Sequence, residues 1–150
     1  MKNVFSQIDS SEIINRINQL TPETQGLWGK MTVAQMLAHC NVTYEMAFEN
    51  IHPEPNAFVK LMLKLFVKKL VVGETAYKKS SQTAPAFIIK DEKDFAKEKE
   101  RLINYIKKTV ELGEAHFEGR KSLSFGALNK TEWNNMFYKH LNHHLEQFGV

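Results

Sequence analysis

The stretch that most constrains this chain is Lys130 to Phe148, where Trp133, Phe137, His140, His144 and Phe148 recur about one or two turns apart on one helix face. Two histidines therefore occupy inward positions where a core helix ordinarily carries Leu or Phe. At i and i+4 both rings aim at a common point, the spacing that helix-borne metal ligands use. His143 offers a second pairing with His140 at i,i+3, but the 140/144 pair shares its stripe with Trp133 and Phe137. From spacing alone the pair reads either as hydrogen-bonded core histidines or as part of a metal site, and what stands opposite decides between them.

Ser10 or Ser11 is placed to cap a short helix through Leu20, with Ile13, Ile14 and Ile17 at helical spacing. Pro22 to Met31 is a turn-rich linker in which Trp28 packs over one end of the fold. Thr32 with Gln35 forms a capping box for a helix to about Asn50, whose core face is Val33, Leu37, Cys40, Tyr44, Ala47 and Ile51. Met36, His39, Thr43 and Met46 flank that face, so His39 is able to look into the interior. Cys40, about 100° from His39 around the helix, reads as a core thiol.

His52-Pro53-Glu54-Pro55 breaks the helix. A third helix, Ala57 to Leu70, carries Lys60, Lys64 and Lys68 as a narrow ridge on an otherwise apolar surface. Its apolar arc is expected to cover the bundle or a self-association surface with the lysines outward, the competing reading being a membrane-surface or partner-docking helix. Val71 to Lys90 reads as irregular, with a short apolar Ala86 to Ile89. Asp91 with Asp94 opens a helix with Phe95, Leu102, Ile103, Ile106 and Val110 inward, ending near Gly113. A loop through Gly119 and Gly126 comes next, and Asn129 with Glu132 caps the last helix. His52 reads as a loop residue, and His116, in a turn-rich stretch, as exposed and not ligating.

Four substantial helical patterns, one shorter helix and no convincing strand predict an all-α bundle, with residues 1–150 as a single domain and a long crossover connection before the fourth helix. With 43% hydrophobic residues the chain suffices for a core. Net charge of +3 from 20 basic and 17 acidic side chains is too weak a bias for nucleic acid. A lone cysteine excludes an internal disulfide, and no leader or spanning stretch is recognisable, so the expected location is the cytoplasm without membrane association. In a bundle, His39 is able to face His140 and His144, and three neutral imidazoles with an open fourth position suit a divalent metal, Zn first and Ni or Mn next. Met36, Thr43, Trp133 and Phe137 are the candidate cleft residues, while Glu45 and Glu49 lie off the His39 face and no general base is evident.

Trp28-Gly29-Lys30-Met31-Thr32 with Gln35-Met36-Leu37-Ala38-His39, and Tyr138-Lys139-His140-Leu141-Asn142-His143-His144-Leu145-Glu146-Gln147-Phe148, resemble the DinB/YfiT-like superfamily, in a branch of bacterial domains of unknown function. The resemblance spans essentially the whole chain. It implies a four-helix bundle, a three-histidine metal site on His39, His140 and His144, and association as a homodimer. As reaction class it implies metal-assisted hydrolysis, or transfer of a low-molecular-weight thiol, on a small-molecule substrate. The branch often carries His-Pro before an aromatic in the last loop; here the stretch is Ser122-Leu123-Ser124-Phe125-Gly126, and no further ligand is carried over.

Overall fold

The computed structural model describes residues 1–81 and 83–150. The chain is mostly helical: α1 (Gln7–Gln19), α2 (Val33–Phe48), α3 (Ala57–Met62), a π-helical turn (Leu63–Val67), α4 (Lys68–Val72), a 3₁₀ turn (Pro85–Phe87), α5 (Phe95–Phe117) and α6 (Lys130–Gln147). A small antiparallel ladder, β1 (Lys121–Ser122) with β2 (Gly126–Ala127), precedes α6. That ladder lies in a stretch expected to be pure loop; Gly126 at φ 75° turns the chain and Ser122 Oγ accepts from Phe125 N at 2.9 Å.

Local chemistry sets the ends of the long helices. Both expected capping boxes form, Thr32 with Gln35 on α2 and Asn129 with Glu132 on α6, and the Asp94 side chain caps α5. α5 kinks at Gly113, φ 69°, where the expected helix end becomes a break before a final turn to Phe117. α1 departs from expectation: it begins a turn early, with Ser6 at its N-cap. Ser10 is buried inside it and donates to the Val4 carbonyl at 2.7 Å. The preceding segment folds back over the helix, tied by Val4 N to Asn134 of α6 at 2.8 Å, a tertiary contact that local pattern does not reveal.

The core gathers Ile13 and Ile17 of α1, Leu37, Cys40 and Tyr44 of α2, Leu102 and Ile106 of α5, and Trp133, Phe137 and Leu141 of α6. Tyr44 stacks on Phe137 at 4.7 Å between centroids, and Phe137 meets Phe117 and Trp133 at 5.7 and 5.5 Å. Ile51, expected on the core face, is 61% exposed because α2 stops at Phe48. A polar network joins α2 to α5: Asn41 donates to the buried Glu98, and Arg101 bridges Glu98 and Glu45. His52, a loop residue as expected, is 2.8 Å from the remaining Glu45 oxygen.

The third helical segment differs most from expectation. The π-helical turn adds a residue to one turn and rotates the residues beyond it, and the helix runs on to Val72. Leu63, Val67, Val71 and Val72 face the core, while Phe58 and Phe66 are 70% and 75% exposed and Leu61, Leu65 and Leu70 stand out beside them. The arc expected to cover the bundle is therefore split, half of it facing outward. Lys60 and Lys68 pair with Glu54 and Glu132. α6 holds the far end of α4: Asn135 donates to Val72 O at 2.9 Å, and buried Lys139 donates to the Leu70 and Gly73 carbonyls, each at 2.6 Å. The connection from there to α5 is irregular apart from its 3₁₀ turn, as expected for 71–90 beyond Val72; Gln82 lies outside the described residues. Among the described residues no helix is long and apolar enough to cross a membrane.

Candidate metal centre

α2 and α6 bring His39, His140 and His144 together, with one potential ligand atom from each within 4.8 Å of the others. His39 Nε2 lies 2.9 Å from His140 Nε2, and the ring centroids of His39 and His144 are 4.4 Å apart. His39 and His144 are 4% and 8% exposed, and His140 is half-buried.

Each histidine is held from behind through Nδ1. His39 Nδ1 is 2.8 Å from the Phe87 carbonyl, His140 Nδ1 is 3.0 Å from Thr43 Oγ1, and His144 Nδ1 is 2.8 Å from Gln147 Oε1. A metal-bound imidazole characteristically gives its second N–H to such a partner, which fixes the tautomer and the ring plane. The donor set therefore fits a divalent cation of the Zn type, with three neutral nitrogen ligands whose outer partners are all present.

Phe87 and Gln147 were not legible as site residues. Phe87 is recruited by its backbone carbonyl, which carries no side-chain signature, and it arrives from the irregular connection. Gln147 lies three residues after His144 and donates through Nε2 to the Trp28 carbonyl at 2.7 Å. Leu27 N in turn donates to the Gln147 carbonyl at 2.7 Å. A Cβ on Gly29, φ +84°, would lie 2.5 Å from Gln147 Nε2, so only glycine permits this approach. The Trp28-Gly29 pair thus supports His144 as well as turning the chain.

The candidate cleft residues occupy different surroundings. Thr43 stands behind His140, while Met36, Trp133 and Phe137 are fully buried in the core. Around the histidines stand Phe87, at 5.4 Å from His39 and 5.6 Å from His140, and His143, against His144 at 5.0 Å. Trp28 and Tyr77 meet the His143 ring edge-on at 5.9 and 5.7 Å, and Lys79 Nζ sits 4.3 Å over Trp28. Trp28 is therefore a neighbour of the histidine cluster. The acidic residues of α2 are engaged elsewhere, Glu45 with Arg101 and His52, and Glu49 with Tyr105. His116 is exposed and contacts Arg120, and Cys40 is buried with its thiol pKa pushed up by burial.

Burial pushes the pKa of His39 down, that of His140 well down, and that of His144 to about 3, with the neighbouring imidazoles adding to the shift. The folded site thus keeps neutral rings, the form that ligates metal. An unfolded chain takes up protons near the ordinary histidine value of about 6.5 that the folded chain refuses. Stability therefore rises with pH up to that value and falls below it, by up to about 1.4 kcal/mol per pH unit for each such histidine. Urea unfolding of chelator-treated protein at pH 7.5, 6.5 and 5.5 is expected to show this decline between the two lower values. Equal stability at all three would contradict neutral buried rings.

Comparison with curated proteins and with solved structures yields no match. Over residues 4–149 the chain matches the model of one family, and it belongs to that family, described as "Protein of unknown function (DUF1569)".

Proposed function

We propose that the protein is a metal-dependent enzyme of DinB/YfiT-like four-helix-bundle type, acting on a small molecule by metal-assisted hydrolysis or by transfer of a low-molecular-weight thiol. The observation that carries this reading is the convergence of His39, His140 and His144 with an outer partner on every Nδ1. A divalent cation held there supplies Lewis acidity, lowering the pKa of a water or thiol nucleophile toward neutrality. Phe87 stands against His39 and His140, Trp28 and Tyr77 stand against the neighbouring His143, and Lys79 over Trp28 brings a cation near the cluster that suits an anionic or electron-rich reactant. With Glu45 and Glu49 engaged elsewhere, the chemistry is assigned to the cation and its ligands, without a dedicated carboxylate base.

The test is to load the purified protein with Co²⁺ and titrate it with low-molecular-weight thiols. Thiolate-to-cobalt charge-transfer absorption, absent in the His140→Ala protein, supports thiol transfer. Its absence, together with no turnover of ester, amide or lactone probes, would defeat the enzymatic reading and leave a metal-holding or binding module.

Self-association belongs to the same proposal, on a separate observation. Phe58, Leu61, Leu65, Phe66 and Leu70 all stand exposed along one helical segment, and apolar side chains gathered in this way mark interfaces. A two-fold dimer through α3 and α4 would cover them. Light scattering is expected to give twice the chain mass for wild type and the single-chain mass for Phe58→Glu/Leu65→Glu. A monomeric wild type at micromolar concentration would remove the dimer.

A further inference from the structure

We propose that the lysine-walled recess between α4 and α6 is a second binding site, one that takes the phosphate group of a phosphomonoester. Glu132, on its α6 wall, precedes His140 by eight residues. That is about 12 Å along a helix axis, so the recess is separate from the histidine cluster.

The positive charge of this chain is concentrated in one segment. From Ala57 to Lys79 there are six lysines (60, 64, 68, 69, 78 and 79) and one acidic residue, Glu74, a local net charge of +5. Removing these from the 20 basic and 17 acidic side chains leaves 14 against 16, so the rest of the chain carries −2. Lysines spaced four apart on one helical segment repel one another, a cost that an anionic ligand removes.

Lys64, Lys68 and Lys69 line a recess of about 390 Å³ together with Val72, Gly73 and Glu132. Its one carboxylate is engaged twice: Glu132 Oε1 is 2.8 Å from Lys68 Nζ, and Oε2 accepts from Asn129 N at 3.0 Å. Lys64 and Lys69 are exposed, and among the described residues neither pairs with a carboxylate. The last turn of a helix ordinarily repels anions, because its unpaired carbonyls form the negative end of the dipole. In α4 those carbonyls are occupied. Gly73 N donates to Lys69 O at 3.0 Å, Asn135 donates to Val72 O at 2.9 Å, and Lys139 Nζ donates to Leu70 O and Gly73 O, each at 2.6 Å. Lys139 thereby sets a buried positive charge behind the Gly73 wall. A Cβ on Gly73 would lie 2.4 Å from Lys69 O, so only glycine closes this turn. Glu132 stands in the first turn of α6, whose dipole also presents its positive end here.

Two unpaired ammoniums call for a ligand with two negative charges. A phosphomonoester carries about −1.5 to −2 at pH 7 and three acceptor oxygens, and lysine binds it as a point charge. The volume lies within the range of small-molecule sites, about 300–1,000 Å³, which leaves room for the esterified group. Leu65 and Phe66, exposed next to Lys64 in the chain, admit a lipid as the bearer of that phosphate as well as a soluble ester.

The test is an NMR titration of the purified protein with inorganic phosphate, reading the backbone amides of Lys69 and Gly73. Beside it runs cosedimentation with phosphatidylcholine vesicles containing phosphatidic acid. Lys64→Gln/Lys69→Gln alters only exposed side chains and is expected to fold, while Lys107→Gln/Lys108→Gln removes the same charge from α5. Saturable shifts at both amides are expected, with affinity at least about tenfold lower in the 64/69 variant and unchanged in the 107/108 variant. Cosedimentation that disappears in the 64/69 variant assigns the phosphate to a lipid headgroup, and amide shifts without cosedimentation assign it to a soluble ester. Absence of both, or equal weakening in the two double variants, overturns the site. These readouts need no metal, so failure here and failure of the metal reading are distinguishable.

Discussion

Replacing His140 or His144 by alanine is expected to abolish stoichiometric metal binding, leaving less than about a tenth of the wild-type metal per chain by elemental mass spectrometry after exhaustive buffer exchange. The two rings come from one helix and converge with His39, so losing either leaves two nitrogens where a tightly held Zn²⁺ wants at least three protein ligands. The loss should exceed the roughly 10–100-fold in affinity that outer partners such as Thr43 contribute. A ligand bound only by the folded state adds about 4 kcal/mol of stability at a thousandfold excess over its dissociation constant. In a chain of this size that corresponds to a rise in Tm of roughly 10 °C on adding zinc. The alanine variants should show no such rise. Wild-type metal content in both variants would mean that these histidines do not hold a metal, and the core-cluster reading would take over.

The largest effect away from the site is expected at Phe137, where alanine should cost about 3–5 kcal/mol and lower Tm by roughly 10 °C. Phe137 is 0% exposed and sits between Tyr44, Phe117 and Trp133, joining α2, α5 and α6 at their common centre. Rigid rings on these sides collapse poorly into the space left behind. Phe137→Leu keeps most of the volume and should cost markedly less. Since His140 lies one turn later on α6, the alanine variant should also loosen the histidine cluster, read as weaker zinc retention at a temperature where the variant is still folded. A loss below about 1 kcal/mol would place Phe137 outside the essential packing.

Much of this molecule was legible because its signals are local. Thr32/Gln35 and Asn129/Glu132 satisfy orphan N–H groups at helix starts, and that chemistry needs only residues three apart, so the two helices bearing the candidate ligands were located from sequence. The i,i+4 placement of His140 and His144 likewise comes from helix geometry. Whether His39 meets them depends on how α2 packs on α6, a long-range contact that the resemblance implied and periodicity did not establish. Ile51 illustrates the limit: its spacing suited the core face, yet the helix ends before it and leaves it in solvent.

What the sequence determined by itself was the set of amphipathic helices, their caps, and which residues had the chemistry to ligate. Tertiary structure alone decided the outer partners and the fate of the apolar surface. Phe87 acts through a carbonyl common to every residue, and Gln147 is oriented by the Trp28 carbonyl more than a hundred positions away in the chain, so neither role is encoded by residue type or spacing. Thr43, a cleft candidate, lies 3.0 Å from His140 Nδ1, a contact that only the packing of α2 on α6 produces. The π-helical turn at Leu63–Val67 shifts the face that Lys68–Val72 present, and apolar residues before it, Phe58 and Leu61, stand exposed as well. Helix formation is a matter of neighbours three and four residues apart. The assembly of a metal centre is a matter of which carbonyls and hydroxyls the folded chain happens to place behind each ring.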